Sequence, residues 1–242
     1  YDGGEGEDRI DFYYTGASVS VNLLSGGVLN DGYGNAEALA NIVAIENIGG
    51  TENYADILAG DDNANKIYGY GGADILSGNG GIDTIYGGEG MDIISTGAGI
   101  QDVAFGGNGI DTLTGNLDGD ILIGLDNSSG DDLSEDWIDY SALTGSNGIS
   151  VDLNTTISDS LDNTYDAIYN GSYSTVSLIN GTAAQVDYIT AIENIKGSSF
   201  TDILGGDAGK NSILAGDGDD TVYLSAGQDY LDGGGNTTTG GD

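Results

Sequence analysis

Aspartate recurs in this chain at a fixed interval. Within GYGGADILSGNGGIDTIYGGEGMDIIS, residues 69–95, Asp74, Asp83 and Asp92 stand nine residues apart. Carboxylates can serve as acids, bases or nucleophiles, or as oxygen ligands for hard cations. Histidine and cysteine are absent, which removes Ser-His-Asp and Cys-His arrangements and the usual ligands of zinc and copper. The G-x-S-x-G elbow and the G-x-x-x-x-G-K-[ST] phosphate loop are missing, and the G-x-G strings lack a strand-to-helix setting. A carboxylate pair could run glycoside hydrolysis. Among 40 acids, however, chance pairs are expected, and regular spacing suits ligation better than catalysis. The chain is expected to be no enzyme, and cations are its natural partners.

The interval extends well beyond that stretch. Units of nine run from Thr51 to Ile123, with one ten-residue unit, TGAGIQDVAF, among them. Their sixth positions hold Asp56, Asn65, Asp74, Asp83, Asp92, Asp102, Asp111 and Asp120, and their eighth positions hold Leu58, Ile67, Leu76, Ile85, Ile94, Ala104, Leu113 and Leu122. A second array begins at Gly197 and places Asp202, Asn211, Asp220 and Asp229 at the sixth position. A lone unit, GGEGEDRID, occupies residues 3–11. The segments before the arrays resemble each other: IVAIENIGGTENYADILAGDDNANKI at 42–67 parallels ITAIENIKGSSFTDILGGDAGKNSI at 189–213, and VSVNL parallels ISVDL. The chain therefore reads as a tandem duplication: 1–50 a lone turn and β-rich spacer, 51–123 the first array, 124–196 a longer spacer, and 197–242 a truncated second array. Alternation in VSVNL and ISVDL predicts strands. The nearest approach to a helical pattern is NAEALANI at 35–42, and the insertion around 155–185 has no legible pattern.

The nonapeptide resembles the RTX, or haemolysin-type calcium-binding, repeat, whose signature is G-G-x-G-x-D-x-U-x. The resemblance covers both arrays and is specific because the units stand end to end. It implies an all-β fold, a parallel β-roll or β-helix, with calcium at the turns. It also implies export in an unfolded state and folding on extracellular calcium. The residues support the same picture. Glycines permit positive φ and close backbone approach, so six residues can form a tight turn and three a short strand. Alternate side chains of a strand share a face, so the sixth-position Asp and the eighth-position Leu or Ile both point inward.

If each unit is half a coil, equivalent turns recur every eighteen residues at the interstrand spacing of about 4.8 Å. Asp56, Asp74, Asp92 and Asp111 then line one edge, and Asn65, Asp83, Asp102 and Asp120 the other; Asp202 pairs with Asp220 and Asn211 with Asp229. Two carboxylates at that spacing repel by about 3 kcal/mol even at an effective dielectric near 20. Calcium suits the slot, because it accepts six to eight oxygens in loose geometry. Pairing neighbours gives about eight ions, whose charge of +16 would bring the formal −36 to −20. Asn65 and Asn211 lower the local charge and predict weaker sites.

Composition sets the remaining bounds. Forty acids against four basic residues exclude the cationic footprint of a nucleic-acid or anionic-membrane partner. No apolar run reaches the roughly 18 residues of a membrane span. With no disulfide and 45 glycines, the backbone carries a large ordering entropy, so the chain is expected to be disordered without calcium. Beginning at Tyr1 and ending on GGGNTTTGGD, it reads as a fragment of something longer. The expected function is a calcium-binding structural module of a secreted or cell-surface bacterial protein, of surface-layer or adhesin type. The alternatives are an accessory module of a secreted protease, lipase or alginate epimerase, or a glycan-binding domain. Outward positions place Tyr68, Tyr86 and Phe105 in an aromatic ladder. Cover by the neighbouring spacer and its IENI strands is the expectation there, against docking of other copies or surface glycans.

Overall fold

A computed structural model describes residues 1–33, 40–124, 135–144, 147–154, 157–158, 172–179 and 186–235. Its described elements are all β. Two large sheets, one of twelve strands and one of eleven, share a single apolar core. Successive units alternate between the sheets: Lys66–Gly71, Thr84–Glu89, Val103–Asn108 and Ile121–Ile123 lie side by side in one, and Ile57–Ala59, Ile75–Ser77, Ile93–Ser95 and Thr112–Thr114 in the other. All these neighbours are parallel, so the chain is a β-roll with nine-residue half-coils.

The register follows from burial. Ile67, Ile85, Ala104 and Leu122 are aligned in one sheet, and Leu58, Leu76, Ile94 and Leu113 in the other. All eight are at most 1% exposed. A slip of one residue would turn each row to the outside, forfeiting about 1.5–3 kcal/mol per large side chain. The ten-residue unit keeps this register because its extra residue is absorbed in the turn, where Gln101 takes φ 65°.

The spacers lie within the same two sheets. Arg9–Asp11 pairs with Asn47–Gly49, which pairs with Lys66–Gly71, and Val19–Asn22 pairs with Ile57–Ala59. The second copy repeats this: Trp137–Asp139 pairs with Asn194–Lys196, which pairs with Ser212–Leu214, and Ile149–Asp152 pairs with Ile203–Gly205. The copies have exchanged sheets, however. The IENI strand lies in the twelve-stranded sheet in the first copy and in the eleven-stranded sheet in the second. The two copies are thus offset by half a turn of the roll. One antiparallel strand, Ser172–Leu178, is wedged between Val186–Thr190 and Ile149–Asp152.

The IENI strands are coils of the roll, with Ile48 and Ile195 in the core, and the spacers reach the aromatic ladder through Arg9, 4.8 Å from the Tyr68 centroid, and Tyr188, which packs against the cluster holding Phe105. Tyr68, Tyr86 and Phe105 do stack in register, with centroids 5.0 and 4.9 Å apart and rings within 4° of parallel. Phe105 is buried with Val103, Ile121 and Ile123 in a small outer cluster, against which Tyr86 and Tyr188 pack half-buried. Of NAEALANI, positions 35–39 lie outside the described residues, and Ala40–Asn41 is a short strand. The 155–185 insertion also falls largely outside them. All four basic residues are ion-paired: Arg9 with Asp11, Lys66 with Glu7, Lys196 with Asp139 and Lys210 with Glu135. Among the described residues, no helix is long and apolar enough to cross a membrane.

Candidate metal-binding columns

The turn between two half-coils is shaped by backbone that only some residues tolerate. In the unit from Gly87, the second and fourth positions, Gly88 and Gly90, have φ of 114° and 132°, in the region that penalises a Cβ. The first position serves differently: a Cβ on Gly87 would collide with Asp92 Oδ2 and with the carbonyl oxygen of Gly106. Those two oxygens therefore converge on one point. The same convergence recurs at Gly69, between Asp74 Oδ2 and the Gly87 carbonyl, and at Gly78, between Asp83 Oδ2 and the Thr96 carbonyl.

The sixth-position side chains form two continuous columns. On one edge the N–H groups of Asp56, Asp74 and Asp92 donate to Oδ1 of Asp74, Asp92 and Asp111 at 2.7–2.8 Å. On the other, the N–H groups of Asn65, Asp83 and Asp102 donate to Oδ1 of Asp83, Asp102 and Asp120 at 2.7–3.0 Å. In the second array Asp202 N–H reaches Asp220 and Asn211 N–H reaches Asp229. The expected stacking partners, eighteen or nineteen residues apart, are thus brought together, but the arrays are interleaved. Asp202 and Asp220 belong to the sheet of Asn65, and Asn211 and Asp229 to that of Asp56.

One oxygen of each aspartate is therefore used by the backbone. The other differs along the column. Oδ2 of Asp74, Asp83, Asp92 and Asp102 is buried with no hydrogen-bond partner. An unsatisfied buried carboxylate oxygen is costly. Burial, and then neighbouring carboxylates, push Asp74, Asp83 and Asp92 up to about 7, against the lowering effect of the donated N–H; Asp102 rises to about 6. Each oxygen shares its point with a main-chain carbonyl, so this is a set of hard acceptors with no donor. That donor set fits a hard cation with oxygen ligands.

At the start of each array both side-chain positions are filled by the protein. Asp56 accepts from Val19 N–H and Thr51 N–H at 2.7 and 2.6 Å. Asp202 accepts from Ile149 N–H and Ser198 N–H, both at 2.7 Å. Asn65 accepts from Asp61 N–H, and its amide donates to the Glu46 carbonyl at 2.8 Å; Asn211 accepts from Asp207 N–H and donates to the Glu193 carbonyl, also at 2.8 Å. Asparagine here supplies a donor that aspartate lacks.

Two column members escaped the sequence reading. Asp136 Oδ1 accepts the N–H of Asp111, and Asp187 Oδ1 accepts that of Asp120. The signal for Asp136 was present, since EDWID repeats the EDRID of the lone unit. Asp187, in VDYIT, has the sixth- and eighth-position pattern without any of the glycines. Asp187 is held by Leu117 N–H, Gly119 N–H and the Tyr140 hydroxyl, the last at 2.5 Å to Oδ2. Carboxylate oxygens of Asp118, Asp120 and Asp187 approach within 4.8 Å of one another, the one such acidic group among the described residues. Burial and the Asp187 charge raise the Asp120 carboxyl.

A family model described as the RTX calcium-binding nonapeptide repeat (4 copies) matches residues 51–85, 72–100 and 196–239. No curated protein matches the chain. Among solved structures, the AlgE6R3 subunit of the Azotobacter vinelandii mannuronan C5-epimerase is similar at 25% identity over 57% of this chain and 71% of that one; its TM-score of 0.20 is too low to inform the fold. Stacked half-coils, glycines at the turn and a column of inward aspartates thus coincide with the matched segments: residues 51–100 and 196–239 are RTX calcium-binding nonapeptide repeats.

Proposed function

We propose that this chain is a structural module of a secreted or cell-surface bacterial protein, of surface-layer or adhesin type, which becomes rigid when calcium enters its aspartate columns. The observation that carries this reading is the row of buried, unpartnered Oδ2 atoms of Asp74, Asp83, Asp92 and Asp102. In that reading Asp74, Asp83, Asp92, Asp102, Asp111, Asp120, Asp220 and Asp229 supply the carboxylate oxygens, and carbonyls such as those of Gly87 and Gly106 complete the shell. A divalent ion there cancels the mutual repulsion of stacked carboxylates. Asp56, Asn65, Asp202 and Asn211 serve chiefly as hydrogen-bonded starts to the columns. Folding free energy then includes binding free energy, so millimolar extracellular calcium orders a chain that remains expanded where calcium is scarce.

The test is circular dichroism and calorimetry of the full chain during calcium titration, followed by EDTA. A cooperative gain of β signal, reversed by the chelator, is expected. Unchanged structure and unfolding temperature after complete calcium removal would overturn the reading.

A further inference from the structure

A group of four tyrosines, two exposed and two half-buried, lies outside the columns. A cleft of about 440 Å³ near the N-terminus is lined by Arg9, Asp11, Tyr13, Tyr14, Tyr33 and Tyr70, among others. Tyr14 is 90% exposed and Tyr33 68%, so neither contributes its ring to the core. Tyr13 stands edge-on to both Tyr14 and Tyr70, with centroids 4.9 Å apart in each case. Between the rings is a fixed polar pair. Asp11 accepts from Tyr13 N–H at 2.9 Å, from the Tyr70 hydroxyl at 3.2 Å and from Arg9, which also donates to the Tyr70 oxygen.

The backbone carries a second, independent sign. Tyr70 has φ 72°, whereas its register partners in the next two coils, Gly88 and Gly107, have φ of 114° and 109°. Those coils form the same turn with glycine. A tyrosine accepts strain at this position, and its ring forms one wall of the cleft.

We propose that this cleft binds a neutral oligosaccharide. The C–H face of a pyranose packs on an aromatic ring, and its hydroxyls both donate and accept, matching Asp11 as acceptor and Arg9 as donor. Charge excludes the main rivals. A polyanion meets a chain of formal charge −36, in a cleft whose arginine is already neutralised by Asp11. A cationic ligand seeking an aromatic cage finds the guanidinium of Arg9 already 4.8 Å from the Tyr68 centroid and 5.7 Å from that of Tyr70.

Calorimetric titration of the calcium-loaded full chain with neutral hexasaccharides built on glucose, xylose, mannose and N-acetylglucosamine tests the proposal. At least one should bind saturably. Tyr14→Ala and Tyr33→Ala should each weaken it at least tenfold, whereas Tyr86→Ala should stay within twofold. Tyr70→Gly, which restores the residue of the neighbouring coils, should lose binding while leaving the unfolding temperature unchanged or higher; a purely structural Tyr70 would lower it. Absence of binding by all four sugars, binding indifferent to Tyr14 and Tyr33, or preference for an oligouronate or for choline would each overturn the proposal.

Discussion

The interior of the first array and the array starts use one side-chain position in opposite ways. At Asp74, Asp83, Asp92 and Asp102 the second carboxylate oxygen lies near a main-chain carbonyl and has no hydrogen-bond donor. At Asp56 and Asp202 the equivalent oxygen accepts a main-chain N–H from its own turn, and Asn65 and Asn211 replace it with an amide that also donates. The repeat unit therefore does not by itself make a cation site. The turn decides, by giving the side chain an N–H donor or none; a carbonyl is present either way, since that of Gly69 meets Asp56 Oδ2 at Gly50 and that of Ala215 meets Asp202 Oδ2 at Gly197. In the interior turns that oxygen has no protein donor, whereas in the starting turns the protein supplies one.

The sharpest way to break that contrast is to fill one convergence point. Gly87→Ala places a methyl group between Asp92 Oδ2 and the Gly106 carbonyl. It is expected to abolish calcium uptake at that turn and to lower the calcium-loaded unfolding temperature. Gly16→Ala provides the control, because a Cβ there has nothing within 4 Å and its backbone is outside the left-handed region. Equal losses for the two in calorimetric stoichiometry and unfolding temperature would show that the point holds no ion.

Next in size is the comparison of Asp83→Asn with Asp56→Asn. Losing an interior carboxylate shared by two turns should weaken calcium binding at least tenfold, about 1.4 kcal/mol or more. The Asp56 variant should alter stability with little change in affinity. Asp229→Asn, on the last described strand pair of its column, should fall between them. Equal calcium affinities for the interior and starting variants would remove the distinction.

Protons should act like weak cations in the interior alone. Because Asp74, Asp83 and Asp92 titrate near 7 in the fold against about 4 unfolded, the folded state binds more protons between those values. The calcium-free fold should therefore gain stability as pH falls from above 7 toward 4, and lose it again as pH rises through 7. Circular dichroism in EDTA across that window tests the sign. A calcium-free chain more ordered at pH 8 than at pH 5 would contradict it.

The smallest effects on calcium binding belong to the protein-satisfied turns. Tyr140→Phe deletes the hydroxyl that donates to buried Asp187 and should cost about 1–3 kcal/mol without changing the number of calcium ions bound. Asn65→Asp removes the donor to the Glu46 carbonyl. It should destabilise by a similar amount, whereas a merely weak ligand at Asn65 would gain calcium affinity on the same change.

Sequence alone determined the all-β class, the inner row of Leu and Ile, and the pairing of Asp74 with Asp92, eighteen residues on, and of Asp83 with Asp102, nineteen residues on across the ten-residue unit. Those follow from local rules: glycine permits the turn, alternation directs side chains inward, and a half-coil of nine fixes which carboxylates stack. Tertiary structure alone decided the rest. Asp187 joins a column without a glycine turn because the turn at 115–120 and the Tyr140 hydroxyl close around it. The duplicated spacers became coils on opposite sheets because the copies are offset by half a turn, a displacement to which local sequence pattern is blind. The roles of Asp56 and Asn65 depended on donors from Val19, Thr51 and Asp61 and on the carbonyl of Glu46. Whether a carboxylate is satisfied depends on its neighbours in space, and several of those are distant along the chain.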